Sequence, residues 1–97
     1  MDKIEFTDAA LADLKWFKKH EQNEIVDGIE VNLRYEPAVE TRNRSPLRPN
    51  QTAEWKLRLG NFRVYYDVNT VVRIVSMEAI GLKVGNLVLF RGRARDL

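Results

Sequence analysis

The sequence predicts an α+β fold, with a short N-terminal strand followed by a two-helix hairpin packed on one face of a four-stranded, mainly antiparallel sheet. Apolar residues recur at helical spacing between residues 8 and 34, and they alternate with polar residues from residue 54 onward. All three prolines lie between residues 35 and 53, which predicts a loop between the helical part and the sheet. With 97 residues, of which 44% are hydrophobic, the chain is long enough for one domain, residues 1–97.

The N-terminal third carries the signals for one strand and two helices. Ile4–Phe6 alternates in polarity and predicts the first strand, and Thr7 is the expected N-cap of a helix that ends at Lys18–Lys19. A second helix is predicted from about residue 21 to residue 34, joined to the first by a tight connection near His20. Its apolar stripe consists of Ile25, Val26, Ile29 and Leu33.

Turn signals divide the C-terminal half into strands. Gly60-Asn61 joins the alternating segments 54–59 and 62–68 and predicts a two-residue hairpin. Asn69-Thr70 leads into a third strand, Val71–Ile80, which Gly81 is expected to end. Leu87–Phe90 is the last predicted strand, and residues 91–97 are expected to form a loose tail.

A two-residue loop also predicts which side chains of the hairpin share a face. Arg58 then lies opposite Arg63, and Lys56 lies opposite Tyr65. The face on which the helices are expected to pack consists of Trp55, Leu57, Leu59, Phe62, Val64 and Tyr66. The other face presents Lys56, Arg58, Arg63 and Tyr65. Because directly opposed like charges destabilise a sheet by up to about 1 kcal/mol, this pattern favours a surface that binds phosphates over an ordinary solvated face.

Basic and acidic residues are distributed unevenly along the chain. Residues 1–30 contain eight acidic and four basic side chains, whereas residues 31–97 contain twelve basic and six acidic ones. Arginine dominates the basic part, including Arg42, Arg44 and Arg48 of the proline-containing loop. The planar guanidinium group suits phosphate, so the pattern fits a polyanionic partner, and it fits an ordinary basic surface equally well.

The composition excludes several kinds of site. The chain has no cysteine and one histidine, which excludes disulfides, thiolate zinc sites and histidine pairs. We therefore expect neither a metal nor a cofactor. No apolar run reaches the ~18 residues of a membrane span, and the N-terminus has no apolar signal core. We expect a cytoplasmic protein without membrane contact.

Two segments carry a resemblance to a known family. Residues 55–68 read WKLRLGNFRVYYDV, and residues 79–88 read AIGLKVGNLV. They resemble the central hairpin and the last strand-turn-strand of the RelE/ParE toxin superfamily, and the resemblance extends from Ile4 to Phe90. It implies a microbial-ribonuclease-like fold and neutralisation by a cognate antitoxin. RelE-like members cleave messenger RNA in the ribosomal decoding site, whereas ParE-like members inhibit DNA gyrase.

The basic pattern and the resemblance together lead to an expected function. We expect the toxin of a type II toxin-antitoxin system, an mRNA interferase of the RelE branch whose partners are an antitoxin, the ribosome and messenger RNA. A non-nuclease inhibitor of DNA gyrase and an inactive, antitoxin-binding member are the alternatives. The expected catalytic residues are Lys56, Arg58, Arg63 and Lys83. The expected RNA-binding residues are Arg42, Arg44, Arg48, Tyr65 and Phe90.

The chemistry implied by the RelE-like branch requires no metal. The 2′-hydroxyl of the RNA attacks the adjacent phosphate and leaves a cyclic phosphate and a 5′-hydroxyl. This step needs a proton acceptor, a proton donor and cations beside the phosphate oxygens. Lys56 is the expected proton acceptor, because neighbouring arginines disfavour a charged lysine. Arg58 and Arg63 are expected to clamp the phosphate.

Overall fold

A computed structural model describes residues 1–95, which contain two helices and seven strands. The helices are α1 (Asp8–Trp16) and α2 (Lys19–Leu33). The strands are β1 (Lys3–Phe6), β2 (Arg44–Pro46), β3 (Trp55–Leu59), β4 (Phe62–Asn69), β5 (Ile74–Val84), β6 (Leu87–Phe90) and β7 (Arg93–Ala94). None of the helices in this part of the chain is long and apolar enough to cross a membrane.

The strands form one mainly antiparallel sheet with the order β2-β3-β4-β5-β6-β7. The N-terminal half of β5 also pairs with β1 in parallel, from Lys3 opposite Ile74 to Phe6 opposite Met77, and the C-terminal half pairs with β6. The predicted α+β class is confirmed, but the sheet has more strands than the four expected. The additional strands β2 and β7 are three and two residues long, too short for an alternating pattern to reveal them.

The helical hairpin begins as predicted and turns earlier than predicted. The Thr7 hydroxyl accepts a hydrogen bond from the Ala10 amide at 3.0 Å, which confirms the N-cap. The prediction that α1 ends at Lys18–Lys19 is wrong, because Phe17 already has an extended backbone. Lys18 is instead the N-cap of α2, and its amide donates to the Glu21 carboxylate at 3.0 Å. The predicted connection therefore lies before His20, which is an exposed residue of α2.

The main core lies between the two helices and one face of the sheet. The helices contribute Ala10, Leu14, Phe17, Ile25, Ile29 and Leu33, and the sheet contributes Leu57, Val64, Tyr66, Val75, Met77 and Ile80. This confirms the predicted apolar face of the hairpin. Gly28 allows a close approach of α2, because a Cβ atom there would lie 2.6 Å from Leu59 Cδ1. The main core thus holds β3 and β4 in place, with their opposite faces turned away from the helices.

The third predicted strand has different boundaries and one irregularity. Val71 and Val72 lie in an exposed turn, and β5 begins at Ile74 and continues through Gly81 to Val84. A β-bulge leaves Glu78 without a cross-strand partner, since Tyr65 pairs with Ala79 and Tyr66 pairs with Met77. The extra residue shifts the alternation of β5 by one position. Val75 and Met77 face the core before the bulge, and Ile80 faces it after the bulge. Gly81 does not end the strand, contrary to prediction.

Candidate functional site

Four cationic side chains of three adjacent strands lie on the sheet face that points away from the helices. The predicted hairpin register is confirmed, with Arg58 opposite Arg63 and Lys56 opposite Tyr65. Gly81 pairs with Arg63, and Lys83 follows it by two residues and therefore projects from the same face. We call this surface the basic face and define it by Lys56, Arg58, Arg63 and Lys83. The structure thus brings the four predicted catalytic residues to one surface.

The two arginines at the centre of the basic face differ in burial. Arg63 is only 7% exposed, and its Nη1 atom donates to the carbonyl oxygens of Gly60 at 2.7 Å and Phe62 at 2.9 Å. Burial, with a further contribution from the positive charge of Arg58, lowers the pKa of the Arg63 guanidinium. Arg58 itself is exposed. The carbonyl oxygens of the hairpin turn therefore hold the Arg63 guanidinium in a defined position, and the accessible Arg58 lies beside it.

A second, smaller hydrophobic cluster lies beside the cations on the same side of the sheet. It consists of Ala53, Tyr65, Ala79 and Phe90, with Leu47 and Val88 packed against it. Tyr65 and Phe90 are 3% and 5% exposed, and their ring centroids lie 5.5 Å apart. Arg95 covers the Phe90 ring, with its Cζ atom 4.2 Å from the ring centroid. Both aromatic residues expected to bind RNA are thus used for packing, and a base can reach the Phe90 ring only if Arg95 moves.

The three arginines of the predicted loop lie in different environments. Arg44 pairs with Leu57 and therefore lies on the helix side of the sheet. Its guanidinium donates to the carbonyl oxygens of Asn32 at 2.6 Å and Val39 at 3.0 Å. Arg44 is thus not part of the basic face, because it fastens the loop to the C-terminal turn of α2. This role of Arg44 could not be predicted from the sequence, because it depends on the pairing of β2 with β3.

Arg42 and Arg48 are both exposed. Arg48 lies in a compact loop whose flanking residues Leu47 and Ala53 pack in the second cluster, so this loop borders the basic face. The Asn50 side chain closes the loop by accepting from the amides of Thr52 at 2.7 Å and Ala53 at 3.0 Å. Arg42 precedes β2, and the Asn43 carbonyl oxygen next to it accepts from the Arg58 amide at 2.8 Å.

Sequence reasoning missed the contribution of the C-terminal segment. The predicted loose tail is wrong for Arg93–Ala94, which form β7, whereas Asp96 and Leu97 lie outside the described residues. Arg93 pairs with Phe90 and adds a cation next to the second cluster. A strand of two residues leaves no periodic signal in the sequence, so this contribution could not be predicted.

The same side of the sheet also carries two carboxylates, Asp67 on β4 and Glu78 at the bulge of β5. Asp67 follows Tyr65 by two residues on β4, and its Oδ1 atom accepts from the Glu54 amide at 2.8 Å. Burial is the main cause of a raised pKa of the nearby Glu78 carboxyl, and the charge of Asp67 adds to it, while the Ser76 hydroxyl opposes it. Within residues 1–95, no group of three or more His, Cys, Asp or Glu side chains is placed to hold a metal ion.

The raised pKa of Glu78 predicts a pH-dependent effect of Glu78→Gln on stability. A carboxyl group whose pKa is raised in the folded state favours folding when it is protonated and loses this contribution as the pH rises through the folded pKa. We expect the variant to be more stable than the wild type at pH 7, with a difference that shrinks towards pH 4. Urea unfolding at both pH values measures this. A constant difference would contradict it, and Glu40→Gln, at an exposed position, is the control.

Comparisons with known proteins relate this architecture to solved structures. No protein-family model matches the sequence, and no curated protein is significantly similar to it. The structure is similar to a chain of the toxin–antitoxin complex RelBE2 from Mycobacterium tuberculosis, with a TM-score of 0.74 and 22% identity over 84% of this chain and 91% of that one. It is also similar to a chain of the archaeal RelE–RelB complex from Pyrococcus horikoshii, with a TM-score of 0.67 and 18% identity over 88% and 97% of the two chains. The chain therefore has the fold of the RelE toxins.

Proposed function

We propose that this protein is the toxin of a type II toxin-antitoxin system and that it cleaves messenger RNA on the ribosome. The observation that carries the proposal is the pair formed by Arg58 and Arg63 at the centre of the basic face. Two arginines that lie directly opposite each other on neighbouring strands destabilise a sheet unless an anion lies between them. The fold itself does not require this pair. The similarity to RelE toxins supports the same conclusion, since both solved structures are toxin–antitoxin complexes.

The basic face offers the groups that RNA cleavage by its own 2′-hydroxyl requires. Lys56 lies beside Arg58 and Arg63 on neighbouring strands and takes the proton of the 2′-hydroxyl. Arg58 and Arg63 bind the non-bridging oxygens of the phosphate and stabilise the charge that develops on them. Lys83 lies at the side of Arg63 and extends the positive surface along the RNA backbone. Arg48 extends it further, since its loop borders the basic face, and the exposed Arg42 is a second proposed RNA-binding residue.

The proposed partner in the resting cell is a cognate antitoxin. An acidic segment of the antitoxin is attracted to the basic face, which accelerates association, while apolar anchors supply most of the affinity. We expect the antitoxin to cover the basic face or to displace the C-terminal segment. Within residues 1–95, β7 pairs with β6 through Arg93 and Ala94, so its displacement would break few backbone hydrogen bonds.

A brief induction of the protein in a bacterial host tests the proposal. Protein synthesis and DNA synthesis are followed by separate pulse labels, and an abundant transcript is mapped by primer extension. We expect an early loss of protein synthesis with cuts at in-frame codon positions, and no such cuts with Lys56→Ala. Early loss of DNA synthesis with intact transcripts would instead favour inhibition of gyrase. Normal growth would indicate an inactive, antitoxin-binding protein.

A further inference from the structure

The RNA cleavage proposed above needs a proton donor for the leaving oxygen, and the basic face has a candidate that is neither lysine nor arginine. Tyr65 lies directly opposite Lys56, and Arg63 precedes it by two residues on the same face of β4. The one histidine of the chain, His20, is on α2 in the helical layer. Tyr65 is therefore the neutral acid closest to the expected proton acceptor.

The Tyr65 ring is held firmly while its hydroxyl oxygen remains available. Ala53, Ala79 and Phe90 enclose the ring, which leaves the residue 3% exposed. Within residues 1–95 the hydroxyl has no hydrogen-bond partner, yet no polar side-chain atom there is both fully buried and unpartnered. The oxygen therefore reaches the surface. A rigid ring with an accessible hydroxyl resembles the preorganised donors that enzymes use.

The charges around the hydroxyl suit a proton donor. Burial raises the pKa of Tyr65, so the phenol is protonated at neutral pH, and the positive charges of Arg63 and Arg95 oppose the rise. The same two guanidinium groups would stabilise the phenolate after the proton has left. Among residues 1–95, Glu78 is a second weak acid with a raised pKa on this side of the sheet. It lies at the bulge of β5 and interacts with Asp67, which is four residues beyond Arg63 along β4.

We propose that the Tyr65 hydroxyl protonates the 5′-oxygen that leaves when the RNA is cut, an inference that rests on the function proposed above. The Lys56 amine accepts the proton of the 2′-hydroxyl, the 2′-oxygen bonds to phosphorus, and the bond from phosphorus to the 5′-oxygen breaks as Tyr65 donates its proton. The products are a 2′,3′-cyclic phosphate and a 5′-hydroxyl. Transfer of a proton from the Lys56 ammonium to the Tyr65 phenolate through water then restores the starting state.

Replacement of the leaving oxygen by sulfur separates proton donation from every structural role of Tyr65. Ribosome-bound messenger RNA is prepared with its natural linkage or with a 5′-bridging phosphorothiolate at the cut position, because a thiolate leaves without protonation. We expect Tyr65→Phe to cleave the natural RNA about 100-fold or more slowly than the wild type. With the phosphorothiolate RNA, we expect its rate to approach that of the wild type, which also shows that the variant is folded.

Tyr66→Phe is the matched control, since it removes a hydroxyl from the adjacent residue on the helix side, where Tyr66 donates to the Pro37 carbonyl oxygen at 2.8 Å. Its cleavage rates should equal those of the wild type on both RNAs. If Tyr65→Phe cuts the natural RNA as fast as the wild type, or is equally slow on both RNAs, Tyr65 is not the donor. If Glu78→Gln shows the selective rescue instead, the donor is Glu78. If the wild type cuts neither RNA, the proposed nuclease function itself is wrong.

Discussion

Arg58→Ala should cleave ribosome-bound messenger RNA about 100-fold or more slowly than the wild type, with no loss of folding stability. Removing one preorganised donor to a developing negative charge typically slows a reaction by about 10²–10³-fold. Arg58 is exposed and lies opposite Arg63, so its removal takes away a repulsion and no packing. We therefore expect a free energy of unfolding equal to or slightly above that of the wild type. Primer extension and urea unfolding measure the two quantities.

Two companion variants identify the cause of the lost activity. Lys19→Ala removes the same charge from an exposed position on α2, and its cleavage rate should equal that of the wild type. Arg63→Ala should lose both activity and about 1–3 kcal/mol of stability, because its buried guanidinium donates to the hairpin carbonyl oxygens of Gly60 and Phe62. If Arg58→Ala blocks growth as strongly as the wild type, phosphate binding by the basic face is the wrong explanation of toxicity.

The second large effect concerns Asp13, a buried carboxylate of α1. Its Oδ2 atom accepts from the Ile80 amide at 3.0 Å, and its Oδ1 atom lies 3.0 Å from Nε of Arg91. Ile80 lies in the gap of β5 between the residues that pair with β1 and those that pair with β6. The Asp13 carboxylate thus provides the hydrogen-bond acceptor that a neighbouring strand would otherwise offer to this amide. Through Arg91 it also connects α1 to the turn before β7.

Asp13→Ala should lower the free energy of unfolding by about 2–4 kcal/mol, because it removes a charge-assisted hydrogen bond and leaves a buried amide without a partner. For a domain of this size, the melting temperature should fall by roughly 8 °C or more. Asp13→Asn retains an acceptor for Ile80 and loses the attraction to Arg91, so an intermediate loss is expected. Thermal unfolding followed by circular dichroism measures both.

Asp27→Ala provides the control for Asp13, because Asp27 is an exposed carboxylate on α2. Its stability should stay within about 0.5 kcal/mol of the wild type. A similar small change for Asp13→Ala would show that the amide of Ile80 finds another partner, for example water, once the carboxylate is gone.

Local patterns in the sequence determined the helical hairpin and the central β-hairpin. Thr7 caps α1 through a contact three residues away, and Gly60-Asn61 sets the register that places Arg58 opposite Arg63. Both features depend on a few neighbouring residues, so propensity and periodicity were sufficient to predict them. The positions of Lys56, Arg58 and Arg63 on one face follow directly from that register.

Only the tertiary structure decided the features that depend on distant segments. Asp13 and Ile80 are 67 residues apart in sequence, and Arg44 reaches Asn32 because β2 joins the sheet. Tyr65 and Phe90 were expected to bind RNA, and both are packed instead, because residues of the proline-containing loop and of neighbouring strands enclose them. Such contacts depend on which strands become neighbours, and that choice is made by packing across the whole sheet. The sequence by itself therefore determined the part of the basic face that lies on the hairpin, whereas the tertiary structure added Lys83 from β5 and decided which neighbouring residues remain accessible to RNA.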